Sequence, residues 1–204
     1  MSLFKSLAVK PWERKGIIGG LRPEGAFDTS PEKVGLSYFL VIASVVFSLF
    51  MVSYVIRMEL PDWQPLSEPG QLWANTLLLI LSSVLFQWTR NIVSSDKPRN
   101  LMTAFFGAGL FAILFIAGQL MTWGNLQEGG FYLTSNPANA FYYLLTGLHA
   151  VHLLGGLWVW SKGAIRLLSG AEAKDLRLSV ELCTLYWHFL LVVWLILFAF
   201  LANT

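Results

Sequence analysis

Long apolar stretches, each interrupted by a short polar or proline-bearing segment, set the pattern of this chain. Five runs stand out, at residues 34–56, 72–88, 101–123, 139–160 and 180–201. Each holds about 17–23 residues, enough for a helix to cross a hydrocarbon layer of roughly 30 Å. Inside a bilayer the backbone amides have no water to bond to, so the element each run predicts is a helix, which pairs them internally. The expectation is an all-α membrane protein with a polar tail over residues 1–33 and a five-helix membrane domain over residues 34–204.

Charge orients this ladder. Thirteen of the 14 Lys and Arg residues fall on one side: the tail, the turn with Arg90, Lys97 and Arg99, and the loop with Lys162, Arg166, Lys174 and Arg177. Only Arg57 lies on the other side, with Glu59, Asp62, Glu68 and Glu128, so formal charge divides as +5 and −3. Loops rich in Lys and Arg stay on the cytoplasmic side, which predicts an inward N-terminus and, after five spans, an outward C-terminus. Such a charge pattern belongs to a membrane and gives no support to nucleic-acid binding. The stretch from Leu3 to Lys10 also reads as a candidate turn of helix lying on the inner interface.

With 55% hydrophobic and 13% charged residues, five spans and their connections use up nearly the whole length. That leaves no room for a folded module outside the membrane. Cys183 is the one cysteine, so an internal disulfide, a cysteine zinc site, an iron–sulfur cluster or a two-cysteine copper centre cannot form within the chain. Trp63, Trp73, Trp88, Trp123 and Trp160 fall near span ends, where an aromatic belt meets lipid headgroups. Ala104, Ala108 and Ala112 in the third span, and Gly147, Gly155 and Gly156 in the fourth, are small residues suited to close helix packing. Gln87, Arg90 and Gln119 near span ends are read as interhelical bonding for the glutamines and snorkelling for the arginine.

Ionisable groups inside spans are costly and therefore informative. They comprise His149 and His152 in the fourth run and Glu181 and His188 in the fifth. Counted at 1.5 Å per residue, His152 and His188 both sit on the order of 12–14 Å above the inner ends of their spans. Three uses are open: axial haem ligation by His152 and His188, a proton-carrying His and Glu group, or hydrogen bonding between helices.

The stretch from Phe141 to Gly156 contains Thr146-Gly-Leu-His149-Ala-Val-His152, and the last span reads Glu181-Leu-Cys-Thr-Leu-Tyr-Trp187-His188-Phe-Leu-Leu191-Val-Val-Trp194. Both resemble subunit III of haem–copper cytochrome oxidases, in a short bacterial form that lacks the first two of seven helices. Gln119 matches a glutamine of the same pattern. Two family acids are replaced, one by Ser44 in the first span and one by Leu191, so roles tied to them do not transfer.

The resemblance implies a non-catalytic subunit with no active site of its own. It would stabilise subunit I, contact subunit II and a small fourth subunit, bind phospholipid and support proton uptake in a bacterial inner membrane. Haem and copper are then expected in the partner subunits, and His149, His152, Glu181, Trp187 and His188 as a polar core joining the last two helices. The related accessory subunit of nitric oxide reductase and a haem b membrane anchor remain alternatives.

Overall fold

A computed structural model describes residues 30–65, 70–95, 100–170 and 172–202. The Leu3–Lys10 stretch and most of the tail lie outside the described residues. Among the described residues there are five α-helices and no strand: α1 Pro31–Met58, α2 Gln71–Val93, α3 Leu101–Glu128, α4 Pro137–Leu168 and α5 Ala173–Ala202. All five are long and apolar enough to cross a membrane.

The helices overrun the apolar runs that announce them. The 32-residue α4 extends about 48 Å, well past the hydrocarbon layer, and carries Lys162 and Arg166 on its final turns. Local chemistry sets the ends. The Asn136 side chain accepts a hydrogen bond from the Ala138 amide at 3.0 Å, and Pro137 supplies the preset φ of a first helical turn. Gly130 and Gly170, just past α3 and α4, take positive φ of 85° and 83°, where a side chain would be strained.

Helices α2, α3, α4 and α5 close into a ring, in which α2 runs along α3 and α5, and α4 touches both α5 and α3. The α2–α3 approach uses the small-residue row: Ala104, Ala108 and Ala112 are fully buried, and the Ser82 hydroxyl donates to the Ala108 carbonyl at 2.7 Å. Without bulky side chains the backbones come close enough for that bond. Gly109 serves α3 and α4. A Cβ there would overlap the ring of Trp160, whose indole N–H donates to the Phe105 carbonyl at 3.0 Å. Gly156 lies close beneath the Trp187 ring. At Gly155, by contrast, a Cβ would meet nothing within 4 Å.

Residues 36–58 of α1 make no close backbone approach to the ring. They are held by aromatic side chains instead. Phe39 and Phe47 lie 6.0 and 5.3 Å from the His152 ring, and Tyr54 meets Trp63, Phe141 and Phe200 edge-on.

Candidate functional site

Polar residues within the helices gather in two groups. Toward the α3 C-terminus lies a closed layer the sequence reading did not assemble. The Gln119 amide donates to the Tyr142 hydroxyl at 3.1 Å, and the Asn75 amide reaches Gln119 Oε1 and Thr122 Oγ1 at 3.4 and 3.5 Å. The Trp194 indole donates to Thr76 at 2.9 Å and the Trp123 indole to Thr146 at 3.2 Å. Asn75, Thr76, Gln119, Thr122, Tyr142 and Trp194 are all buried, so this layer braces four helices from inside. Gly118 leaves room for the Asn75 side chain; a Cβ there would collide with it.

The second group lies deeper along α2 and α5. His188 Nδ1 is 2.5 Å from Ser83 Oγ, and Nε2 is 3.1 Å from Gln87 Oε1. An amide oxygen can only accept, so Nε2 carries the proton and Nδ1 accepts from the Ser83 hydroxyl. The Gln87 amide passes the chain on to Asn91 Oδ1 at 3.1 Å. A helical turn and more below, Arg90 donates to Glu181 at 3.2 Å, so Arg90 is not simply snorkelling. Glu181 and His188, seven positions apart, do share a face, and both turn it to α2.

The structure does not bring His152 and His188 together. His152 Nδ1 donates to the carbonyl of Leu148, one turn back, at 2.8 Å, and its ring lies against Phe39 and Phe47. The Tyr186 hydroxyl donates to the His152 backbone carbonyl at 2.8 Å, a polar link between α4 and α5. His149 is fully buried with its ring 5.1 Å from Trp194 and 5.9 Å from Phe115, and neither ring nitrogen has a hydrogen-bond partner among the described residues. The Trp187 indole N–H is likewise buried without a partner among the described residues, its ring on Phe86 at 4.4 Å. Of the five residues expected to form one core, His149 and Trp187 pack across α4 and α5, against Trp194 and Gly156, while His152 turns to α1 and Glu181 and His188 turn to α2. Depth follows from counting residues; the direction a side chain takes depends on the neighbour each face meets.

The tryptophans divide in the same way. Trp73 and Trp88 are exposed at 61% and 46%, as a belt residue would be, while Trp123 and Trp160 tie α3 to α4 and Trp63 packs on Tyr54. Between α1, α4 and α5 an apolar cleft of about 340 Å³ is lined by Leu36, Phe39, Gly155, Gly156, Val159 and Tyr186. The openness at Gly155 belongs to this cleft.

Chemically, the arrangement joins helices and offers surfaces. Both ring nitrogens of His188 are engaged and His149 is sealed among aromatic rings, so the histidines do not fit a haem-ligating pair.

Comparison with known proteins shows the family. A family model described as cytochrome c oxidase subunit III matches residues 33–202. Among curated relatives, the cytochrome c oxidase subunit 3 of Synechocystis sp. is 31% identical over 173 residues, covering 80% of this chain and 72% of the relative. That of Thermostichus vulcanus is 27% identical over 177 residues, 82% of this chain and 85% of the relative. The wheat (Triticum aestivum) protein of the same name is 24% identical over 185 residues, 83% and 69% of the two chains. With five spanning helices, the Thr-Gly-Leu-His and Tyr-Trp-His stretches packed side by side, and a match running from the first helix to the last, the chain belongs to the cytochrome c oxidase subunit III family.

Proposed function

We propose that this chain is the non-catalytic subunit III of a bacterial haem–copper terminal oxidase, seated beside catalytic subunit I in the inner membrane. In that complex it also neighbours subunit II and a small fourth subunit, and haem and copper belong to the partners. The N-terminus faces the cytoplasm and the C-terminus the outside, in keeping with the distribution of Lys and Arg. The observation that carries the reading is how the intramembrane polar groups are used. Those of α2 and α5 bond to one another, from Ser83 through His188 and Gln87 to Asn91 and from Arg90 to Glu181, as expected of a scaffold and not of a redox centre.

The cleft beside Gly155 suits a phospholipid acyl chain, since its walls, drawn from α1, α4 and α5, are almost wholly apolar. Support of proton uptake is assigned to the inner ends of α2 and α5, where Arg90, Arg177 and Glu181 gather around a small polar recess. The curated relatives cited above carry the oxidase name, which favours this reading over an accessory subunit of nitric oxide reductase. The replaced acids remain departures. The Ser44 hydroxyl donates to the Leu40 carbonyl of its own helix, on an exposed face, so no carboxylate chemistry is carried over there.

A reduced-minus-oxidised spectrum tests the proposal, taken on the tagged subunit purified gently from its native membranes and again after its partners are stripped away. Haem that copurifies and leaves with the partners is the expected result. Haem retained by the stripped chain would overturn it and make this a haem-binding anchor.

A further inference from the structure

Arg90 and Arg177 face one small space where α2 ends and α5 begins. With Val93, Ser94 and Glu181 they line a recess of about 60 Å³. Arg90 lies three residues before Val93, the last of α2, and Arg177 four residues after Ala173, the first of α5. At 1.5 Å per residue both stand roughly 5–6 Å from a helix end, on the side rich in Lys and Arg. The recess is separate from the apolar cleft, which Leu182, Cys183 and Tyr186 line from another face of α5.

Size and charge narrow what fits. One water needs about 10–15 Å³ of such space, so the recess has room for about four waters or one tetrahedral oxyanion, and none for an acyl chain or a nucleobase. Two guanidiniums against one carboxylate leave one positive charge over. Arg90 gives one N–H to Glu181 at 3.2 Å, and Arg177 has no hydrogen bond or ion pair among the described residues. A guanidinium presents several donors in a planar fork, so most donors here are unspent. Ser94 spends its hydroxyl hydrogen on the Arg90 carbonyl at 3.0 Å, which leaves the two forks as the donors of the site. Forks around one space suit a tetrahedral oxyanion, whose oxygens accept from both at once; a planar carboxylate fills one.

We infer that this recess binds one phosphate group, held by the forks of Arg90 and Arg177, with Glu181 limiting the charge it accepts. Inorganic phosphate from the aqueous phase and the headgroup of a membrane lipid carry the same group, and the depth of the two arginines is open to both. The inference goes beyond the functional reading above and does not depend on which oxidase the chain serves.

The test takes the full chain, washed free of lipid in dodecyl maltoside, a detergent without phosphate, and follows thermal unfolding by tryptophan emission. Sodium phosphate replaces sodium chloride at fixed ionic strength in one series, and phosphatidylglycerol is added to the micelles in the other. A midpoint raised by about 3–6 °C is expected, the size of shift from ligand at roughly ten times its Kd. The series that responds names the source as inorganic phosphate, the lipid headgroup or both. Arg177→Gln should abolish the shift, and Arg166→Gln, on the exposed inner end of α4, should retain it. Glu181→Gln frees Arg90 and should reach half the shift at several-fold lower ligand. No shift in either series, a shift that survives Arg177→Gln, or one lost equally in Arg166→Gln would overturn the site.

Discussion

His188→Ala separates the geometry seen here from the pairing the two-helix motif suggests. The imidazole gives one hydrogen bond and receives another, from Ser83 and to Gln87, both on α2. Bonds of this kind between membrane helices contribute about 0.6 kcal/mol on average and at most about 1.7 kcal/mol each. Losing both predicts a destabilisation of about 1–2 kcal/mol, since Gln87 keeps its bond to Asn91 and is only partly stranded. Equilibrium unfolding of the subunit in mixed micelles, followed by tryptophan emission, measures it. The decisive quantity is the coupling in double-mutant cycles. His188→Ala combined with Ser83→Ala should show about 0.5–1 kcal/mol of interaction, whereas His188→Ala combined with His152→Ala should be additive. A large coupling between the two histidines, with none to Ser83, would refute this account of how α5 is held.

Further expectations follow from packing and from charge. Gly156→Ala puts a methyl group 2.6 Å from the Trp187 ring and should cost about 1–3 kcal/mol, whereas Gly155→Ala meets nothing within 4 Å and should be neutral or slightly stabilising; thermal melts of the two variants read the contrast. Gly109→Ala displaces the Trp160 ring and should destabilise by a similar 1–3 kcal/mol, largely recovered when Trp160 is cut back to Leu, as measured by the same melts. Asp62, in the loop after α1, accepts two hydrogen bonds from Arg57, and this holds its carboxyl below the usual carboxylate range. A group lowered in the folded state stabilises above its unfolded value, about 3.9, and loses that contribution as pH falls through the folded value. Carboxyl NMR of Asp62 should therefore show a titration midpoint below that of an unfolded peptide, rising toward it in Arg57→Gln. A midpoint unchanged by that substitution would show that the pair does not form in solution.

The number and order of the helices were legible in the apolar runs, because a span must be long and continuous to hide its backbone amides from lipid. The row Ala104, Ala108, Ala112 was legible for the same kind of reason: a four-residue interval of small side chains has one good use between helices. Much of the candidate site was not. Ser83, Gln87 and Asn75 are ordinary polar residues in a sequence, and nothing local says that Ser83 meets a histidine 105 positions away. The i, i+4, i+8 spacing of Ser83, Gln87 and Asn91 was the available signal, a polar stripe along one face of a membrane-spanning helix. His152 and His188 had matching depth, but helical periodicity does not report which neighbour a face turns to.

The way α1 is attached has a consequence for membranes of different thickness. Residues 36–58 are joined to the other helices through ring faces and edges, while α2 to α5 are laced by directional hydrogen bonds. Ring contacts persist over a range of angles and separations; a hydrogen bond weakens steeply once bent. A helix in a bilayer that does not match its apolar length tilts to compensate. In this subunit that tilt falls first on α1, and the apolar cleft behind Phe39 widens or narrows with it while the four-helix ring keeps its shape.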